Sequence, residues 1–155
     1  MIASAGKRSS DLTFGNYVRG MQDILKLRVI AQARVVLQHA YRATESFPAE
    51  EKFGVTAQMR RAAWSIGSNI AEGCGRSSYR AFRVSLDRAM GEASELRFQC
   101  IGCRDLNLGD GALVDMLMAE TIRAMKMLSR LIVSVRRRDS RAGARDEEGL
   151  ERQTG

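Results

Sequence analysis

The side chains able to do covalent or metal chemistry are few and scattered along the chain. His39 is the only histidine, and no Ser, Cys or acidic residue adjoins it as a partner for nucleophilic or acid–base work. No His-x-x-x-His or Glu-x-x-His pair occurs, so a metal site built on facing helices lacks its ligands. Cys100-x-x-Cys103 has the spacing of a redox pair, which needs a helix N-terminus to lower the thiol pKa. Here both thiols fall at the C-terminal end of a long helical pattern, on its apolar stripe. Cys74 adds a third thiol but no fourth zinc ligand, so the three read as small buried hydrophobes. Glu72 and Glu95 are the carboxylates available for paired acid–base work, and each belongs to a motif with a structural explanation given below. Gly73-Cys74-Gly75-Arg76 lacks the Lys-Ser/Thr of a phosphate loop and follows a helical pattern rather than a strand. The expectation is a protein without catalytic residues, metal or cofactor.

The remaining question is what scaffold these residues sit on. A chain of 155 residues suits one domain. Pro48 is the only proline and aromatics make up 6% of the residues, a composition that favours helix over strand. No apolar run reaches the ~18 residues of a membrane span, and Lys7 and Arg8 have no apolar stretch behind them to make a signal peptide. With an odd number of cysteines and no disulfide pattern, the expected compartment is the cytoplasm.

Four segments carry a helical period. In the third, Tyr79, Phe82, Leu86, Ala89, Ala93, Leu96, Cys100 and Cys103 alternate steps of three and four, with Ser77 or Ser78 placed to cap the first turn. The fourth repeats this with Val114, Leu117, Thr121, Ala124, Leu128, Leu131 and Val135, behind Asp110 as N-cap. The first has Val29, Ala33, Val36, Ala40 and Ala43 and ends before Phe47-Pro48, because a residue preceding proline is pushed out of the helical region. The second reads Met59, Ala63, Ile66 and Ile70, opens near Thr56 and stops at Gly73-Cys74-Gly75. Such helices, joined by short links, pack as an all-α, antiparallel up-down four-helix bundle.

Second apolar lines run beside two of these stripes: Ile30, Leu37 and Tyr41 on the first helix, and Met118, Ile122, Met125 and Ile132 on the fourth. A face wider than one seam suggests contacts between subunits, with filling of a wide core as the alternative. The bundle is expected over residues 21–138, after a flexible N-terminal segment at residues 1–20 and before a disordered charged tail at residues 139–155. From Arg136 to the end, Arg136, Arg137, Arg138, Arg141, Arg145 and Arg152 face Asp139, Asp146, Glu147, Glu148 and Glu151. The net is only +1, so most of the chain's charge of +7 lies elsewhere.

At the second helix the pattern becomes more specific. The run Gln58-Met59-Arg60-Arg61-Ala62-Ala63-Trp64-Ser65-Ile66-Gly67-Ser68-Asn69-Ile70-Ala71-Glu72-Gly73 resembles the signature of a bacterial four-helix-bundle family that includes proteins encoded in intervening sequences of large-subunit ribosomal RNA genes. Leu27 to Ala33, Tyr41, Thr44, Phe47-Pro48, Glu51 and Phe53-Gly54-Val55 resemble its first helix and loop. Arg76-Ser77-Ser78, Phe82 and Gly91-Glu92-Ala93-Ser94-Glu95-Leu96 resemble its third. Ile30 stands where the family usually has Trp, and Gly67 where it often has Pro. The resemblance implies a ring-like homopentamer. It also implies kinship with the accessory variability-determinant protein of diversity-generating retroelements, a basic pentamer that binds nucleic acid and a reverse transcriptase.

Two sets of residues follow as candidate sites. Ser65, Asn69 and Glu72 share one side of the second helix, while Ser94 and Glu95 adjoin the third helix's stripe. These five are expected to meet as an inter-helix polar network with Arg61 as a partner, worth about 3–5 kcal/mol per broken pair if fully buried. Arg60, Arg61, Arg76, Arg80 and Arg83 cluster by sequence around the second helix and the following turn, and Arg136, Arg137 and Arg138 extend the fourth helix. Each can pair with a phosphate, which makes a basic oligomer that binds RNA or DNA the leading expectation. The alternative is a protein-interaction scaffold, its arginines held in local pairs such as Arg83–Asp87 and Arg88–Glu92.

Overall fold

A computed structural model of the chain describes residues 27–154, with side chains to residue 141. It is all-α: four helices and no strand among the described residues. They are α1 (Arg28–Glu45), α2 (Val55–Cys74), α3 (Tyr79–Asp105) and α4 (Gly111–Thr154), with a 3-10 turn at Ala49–Phe53 before α2. The N-terminal segment at residues 1–20 lies outside the described residues. The fourth helix does not stop at residue 138 but runs on to Thr154. That stretch holds good helix formers (Arg, Ala, Glu) and no proline; Gly143 and Gly149 weaken the helix but leave every backbone donor in place.

The helix ends fall where local chemistry puts them. Ser78 caps α3, its Oγ accepting from the Ala81 N–H at 3.2 Å. Asp110 caps α4, one carboxylate oxygen accepting from Ala112 N–H at 2.8 Å and from Leu113 N–H at 3.4 Å. The link before α4 turns through left-handed backbone at Asn107 and Gly109. At Gly109, with φ of +67°, a Cβ would also lie 2.5 Å from the Phe47 ring, so glycine is required there twice over. Ser46 Oγ accepts from the Asp110 N–H at 2.9 Å and ties this link to the end of α1.

The apolar stripes form the core. Every stripe residue of α1 and α2 is buried, as are those of α3 except Tyr79 and those of α4 except the half-buried Leu131. Helix α2 packs against α1 and α3, and α4 packs against α3 and α1, so each helix has two partners. At one end of the α2–α3 contact Met59 meets Cys103, their sulfurs 3.6 Å apart. At the other, a Cβ on Gly73 would lie 2.7 Å from the Phe82 ring and 3.0 Å from Ser85 Cβ, so the missing side chain lets the helices close. Two buried hydroxyls are satisfied within their own helices: Thr121 donates to the Leu117 carbonyl at 2.8 Å and Thr44 to that of Ala40 at 2.7 Å, while the Thr56 hydroxyl has no partner.

The second apolar lines divide. Met118, Met125 and Ile132 are half-buried and pack on the margin of the core, which widens it. Tyr41 and Trp64 stand out on the α1–α2 side, 38% and 56% exposed, above an apolar groove of 250 Å³ lined by Ile30, Leu37, Ala63 and Gly67. Gly67 is the one mid-helix glycine of α2 with room beside it, since an added Cβ meets only Ala33 Cβ at 3.9 Å. Gly67→Ala is therefore expected to raise stability by about 0.5–1 kcal/mol through helix propensity, read as a higher midpoint in thermal or urea unfolding.

Candidate nucleic-acid interface

The arginines around the α2–α3 turn are largely engaged. Arg76 pairs with Glu72 one helical turn earlier. Arg61 reaches across to α3, with Nη2 3.0 Å from Glu95 Oε1 and Nη1 3.9 Å from Glu92 Oε2. The same Glu95 oxygen accepts from Gln99 Nε2 at 3.0 Å. Arg60 is held as a packing element: its Nε donates to Thr44 Oγ1 at 2.8 Å and its guanidinium lies 4.5 Å over the Tyr41 ring. The Tyr41 hydroxyl in turn accepts from Trp64 Nε1 at 3.1 Å. Arg83 is half-buried, with Nε lacking a hydrogen-bond partner. Arg80 is exposed and lines a depression of 370 Å³ with Arg76 and Arg88. The sequence-local pairs Arg83–Asp87 and Arg88–Glu92 do not form; Glu92 faces Arg61 instead.

The five polar residues expected to form one network do not meet as one. Asn69 Nδ2 donates to the Ser65 carbonyl at 2.8 Å and Ser94 Oγ to the Met90 carbonyl at 2.9 Å, each within its own helix. Glu72 stays with Arg76, leaving Arg61–Glu95 as the inter-helix link. Its side chains are 59% and 40% exposed, so water screens the pair and its worth is about 0–1 kcal/mol rather than that of a buried pair. Periodicity places these groups near the seam, but the seam itself is filled by Ala63, Ile66, Ile70, Ala93 and Leu96.

The outer face of α4 is the contrasting surface. Residues 121–138 contain Arg123, Lys126, Arg130, Arg136, Arg137 and Arg138 and not one acidic residue. Arg123 turns to Glu120, 3.4 Å away. Lys126 and Arg130 join Arg97 of α3 around a depression of 470 Å³, with Met90, Ile122, Met125 and Ser129 as its remaining lining. One turn on, Arg136, Arg137 and Arg141 line a second depression of 570 Å³ with Val133 and Ser140. None of Arg97, Lys126, Arg130, Arg136, Arg137 or Arg141 makes an ion pair with a described carboxylate. Arg136, Arg137 and Arg138 thus lie on this face or beside it. Arg97, Lys126, Arg130 and Arg141 were not singled out from sequence, although the acid-free window 121–138 holds Lys126 and Arg130.

The groups considered for catalysis stand apart from this face. Burial pushes the Cys100 thiol up from an ordinary 9.0 to about 12, and it raises Cys103 and Cys74 as well. A thiol so held is protonated at neutral pH and a poor nucleophile. The prediction is that native protein at pH 8 leaves Cys100 unmodified by a thiol reagent on a timescale of minutes, while urea-unfolded protein reacts at once. Rapid native labelling of Cys100, located by peptide mass, contradicts the packing. His39 is half-buried with Nδ1 unpartnered. Among the described residues no three His, Cys, Asp or Glu side chains converge on a metal-sized site, and no helix is long and apolar enough to cross a membrane.

Fold and surface together define a protein that is all-helical among the described residues, with an acid-free basic window, residues 121–138, on one long helix. The chain belongs to the 23S rRNA-intervening sequence protein family, whose model matches residues 25–130. The match covers α1, α2, α3 and the first half of α4, and ends at Arg130 within the basic face. No curated protein matches the chain.

Proposed function

We propose that this protein is a non-enzymatic, homo-oligomeric binder of nucleic-acid backbone, most simply RNA, with the outer face of α4 as its contact surface. The observation that carries the reading is the acid-free run of cations on α4, joined by Arg97 and, apart from Arg123, without a described carboxylate partner. Cations in such a row can trade their counterions for phosphates, which gives affinity with little sequence information. The family's description, as a protein of a 23S rRNA intervening sequence, is consistent with an RNA-associated role.

The scaffold beneath is an antiparallel up-down bundle in this reading. Met59 lies by Cys103 and Gly73 by Phe82 across α2–α3, while Gln32 lies by Glu120 and Ser46 by Asp110 across α1–α4; both pairings fit helices of opposite sense. Self-association, as a homopentamer by the resemblance above, would use the exposed Tyr41, Trp64 and apolar α1–α2 groove. That places the subunit contact on α1–α2 and leaves α3–α4 outward.

Size-exclusion chromatography with light scattering, run at low and then high salt with absorbance at ~260 and ~280 nm, tests this reading. The expected result is a multiple of the 17.2 kDa chain mass that carries nucleic acid at low salt and sheds it at high salt. A monomer, or an oligomer that retains no nucleic acid and binds none when it is added back, refutes it.

A further inference from the structure

Resting on that reading, we infer that the α4 face takes double-helical nucleic acid in preference to single strands. Lys126, Arg130, Arg137 and Arg141 follow steps of four, seven and four on α4, a straight row about 22 Å long at 1.5 Å per residue. Arg97 stands beside its first half across the α3–α4 groove. A row of that kind presents charges at regular intervals along a straight helix.

Single-strand binders gain much of their affinity from bases stacked on aromatic side chains. Residues 111–154 contain no Phe, Tyr or Trp, and neither depression on α4 has an aromatic in its lining. The exposed aromatics Tyr41, Phe53, Trp64, Tyr79 and Phe98 all lie outside α4. A single strand laid on α4 would lose conformational freedom without stacking in return. A duplex is already ordered, carries about one charge per 1.7 Å of axis, and releases more counterion per phosphate contacted, about 0.9 against 0.7 for a strand. The face therefore holds backbone, and its chemistry favours the form in which backbone is densest and most rigid. Phe98, 72% exposed on α3 and next in sequence to Arg97, is an alternative platform and serves as the control.

The test is fluorescence anisotropy of the full chain with three probes of about 20 nucleotides per strand: an RNA duplex, a DNA duplex and single-stranded poly(U), each titrated across salt. The expected result is at least about tenfold tighter binding of one or both duplexes than of the strand. Phe98→Ala should leave every affinity unchanged, and a Lys126→Ala/Arg130→Ala/Arg137→Ala variant of native circular dichroism should lose the duplex preference. Equal or tighter binding of poly(U), or strand binding lost in Phe98→Ala, overturns this inference while leaving backbone binding intact. No salt-sensitive binding to any probe overturns the proposed function along with it.

Discussion

Leu96→Ala is expected to lower the free energy of unfolding by about 2–5 kcal/mol, the range for deleting a fully buried leucine side chain. Leu96 has no solvent exposure and lies mid-stripe on α3, the helix that packs against both α2 and α4. The substitution removes three heavy atoms from a seam whose neighbouring stripe positions, Ala89 and Ala93, are already small and fully buried. Little is left there to move into the gap, which places the cost in the upper part of that range. Phe98→Ala, two residues away and 72% exposed, should cost less than about 0.5 kcal/mol. Urea unfolding of the two variants side by side measures the contrast; similar losses, or a larger loss for Phe98→Ala, would mean that the stripe is misplaced.

The second large effect is on binding. Replacing Lys126, Arg130 and Arg137 together with alanine should weaken nucleic-acid binding by roughly a hundredfold, taking about 1 kcal/mol for each screened phosphate contact. Stability should change little, because Arg130 and Arg137 are exposed, none of the three pairs with a described carboxylate, and alanine favours helix. The double variant Arg61→Ala/Arg76→Ala removes two charges already balanced by Glu95 and Glu72, so its affinity should fall only a few-fold. Circular dichroism and a melting curve on each variant separate loss of binding from loss of fold.

Much of the fold was legible in the sequence because packing obeys period. Steps of three and four put Phe82, Leu86, Ala89, Ala93, Leu96, Cys100 and Cys103 on one side of α3, and all seven are buried. Asp110 and Ser78 were legible as caps for the same reason: the orphan N–H groups of a first turn need an acceptor at that offset. Tyr79 is the exception, 39% exposed at the first residue of α3, where the helix has only begun to meet its neighbours.

Charge was harder to read. Sequence proximity gathers Arg60, Arg61, Arg76, Arg80 and Arg83 into one cluster, but the carboxylates that balance Arg61 lie more than thirty residues away on α3, and only the fold brings them across. The polar set failed to converge for a related reason. Asn69 and Ser94 have backbone carbonyls within reach one turn back, so they satisfy themselves locally. Arg97 and Lys126 are twenty-nine positions apart in the chain and share a groove only because α3 packs on α4. The readable signal was a window, residues 121–138, with six cations and no acid.

In the proposed reading α4, and not the α2–α3 turn, holds the nucleic acid. The direct measurement is the salt dependence of binding, log Kd against log salt concentration, for the unmodified chain, the α4 triple variant and the Arg61/Arg76 double variant. Each lost phosphate contact reduces the slope by about one. The expected slope is reduced by about two to three in the triple variant and nearly unchanged in the double variant. A slope that survives the loss of Lys126, Arg130 and Arg137 but collapses with Arg61 and Arg76 would contradict it.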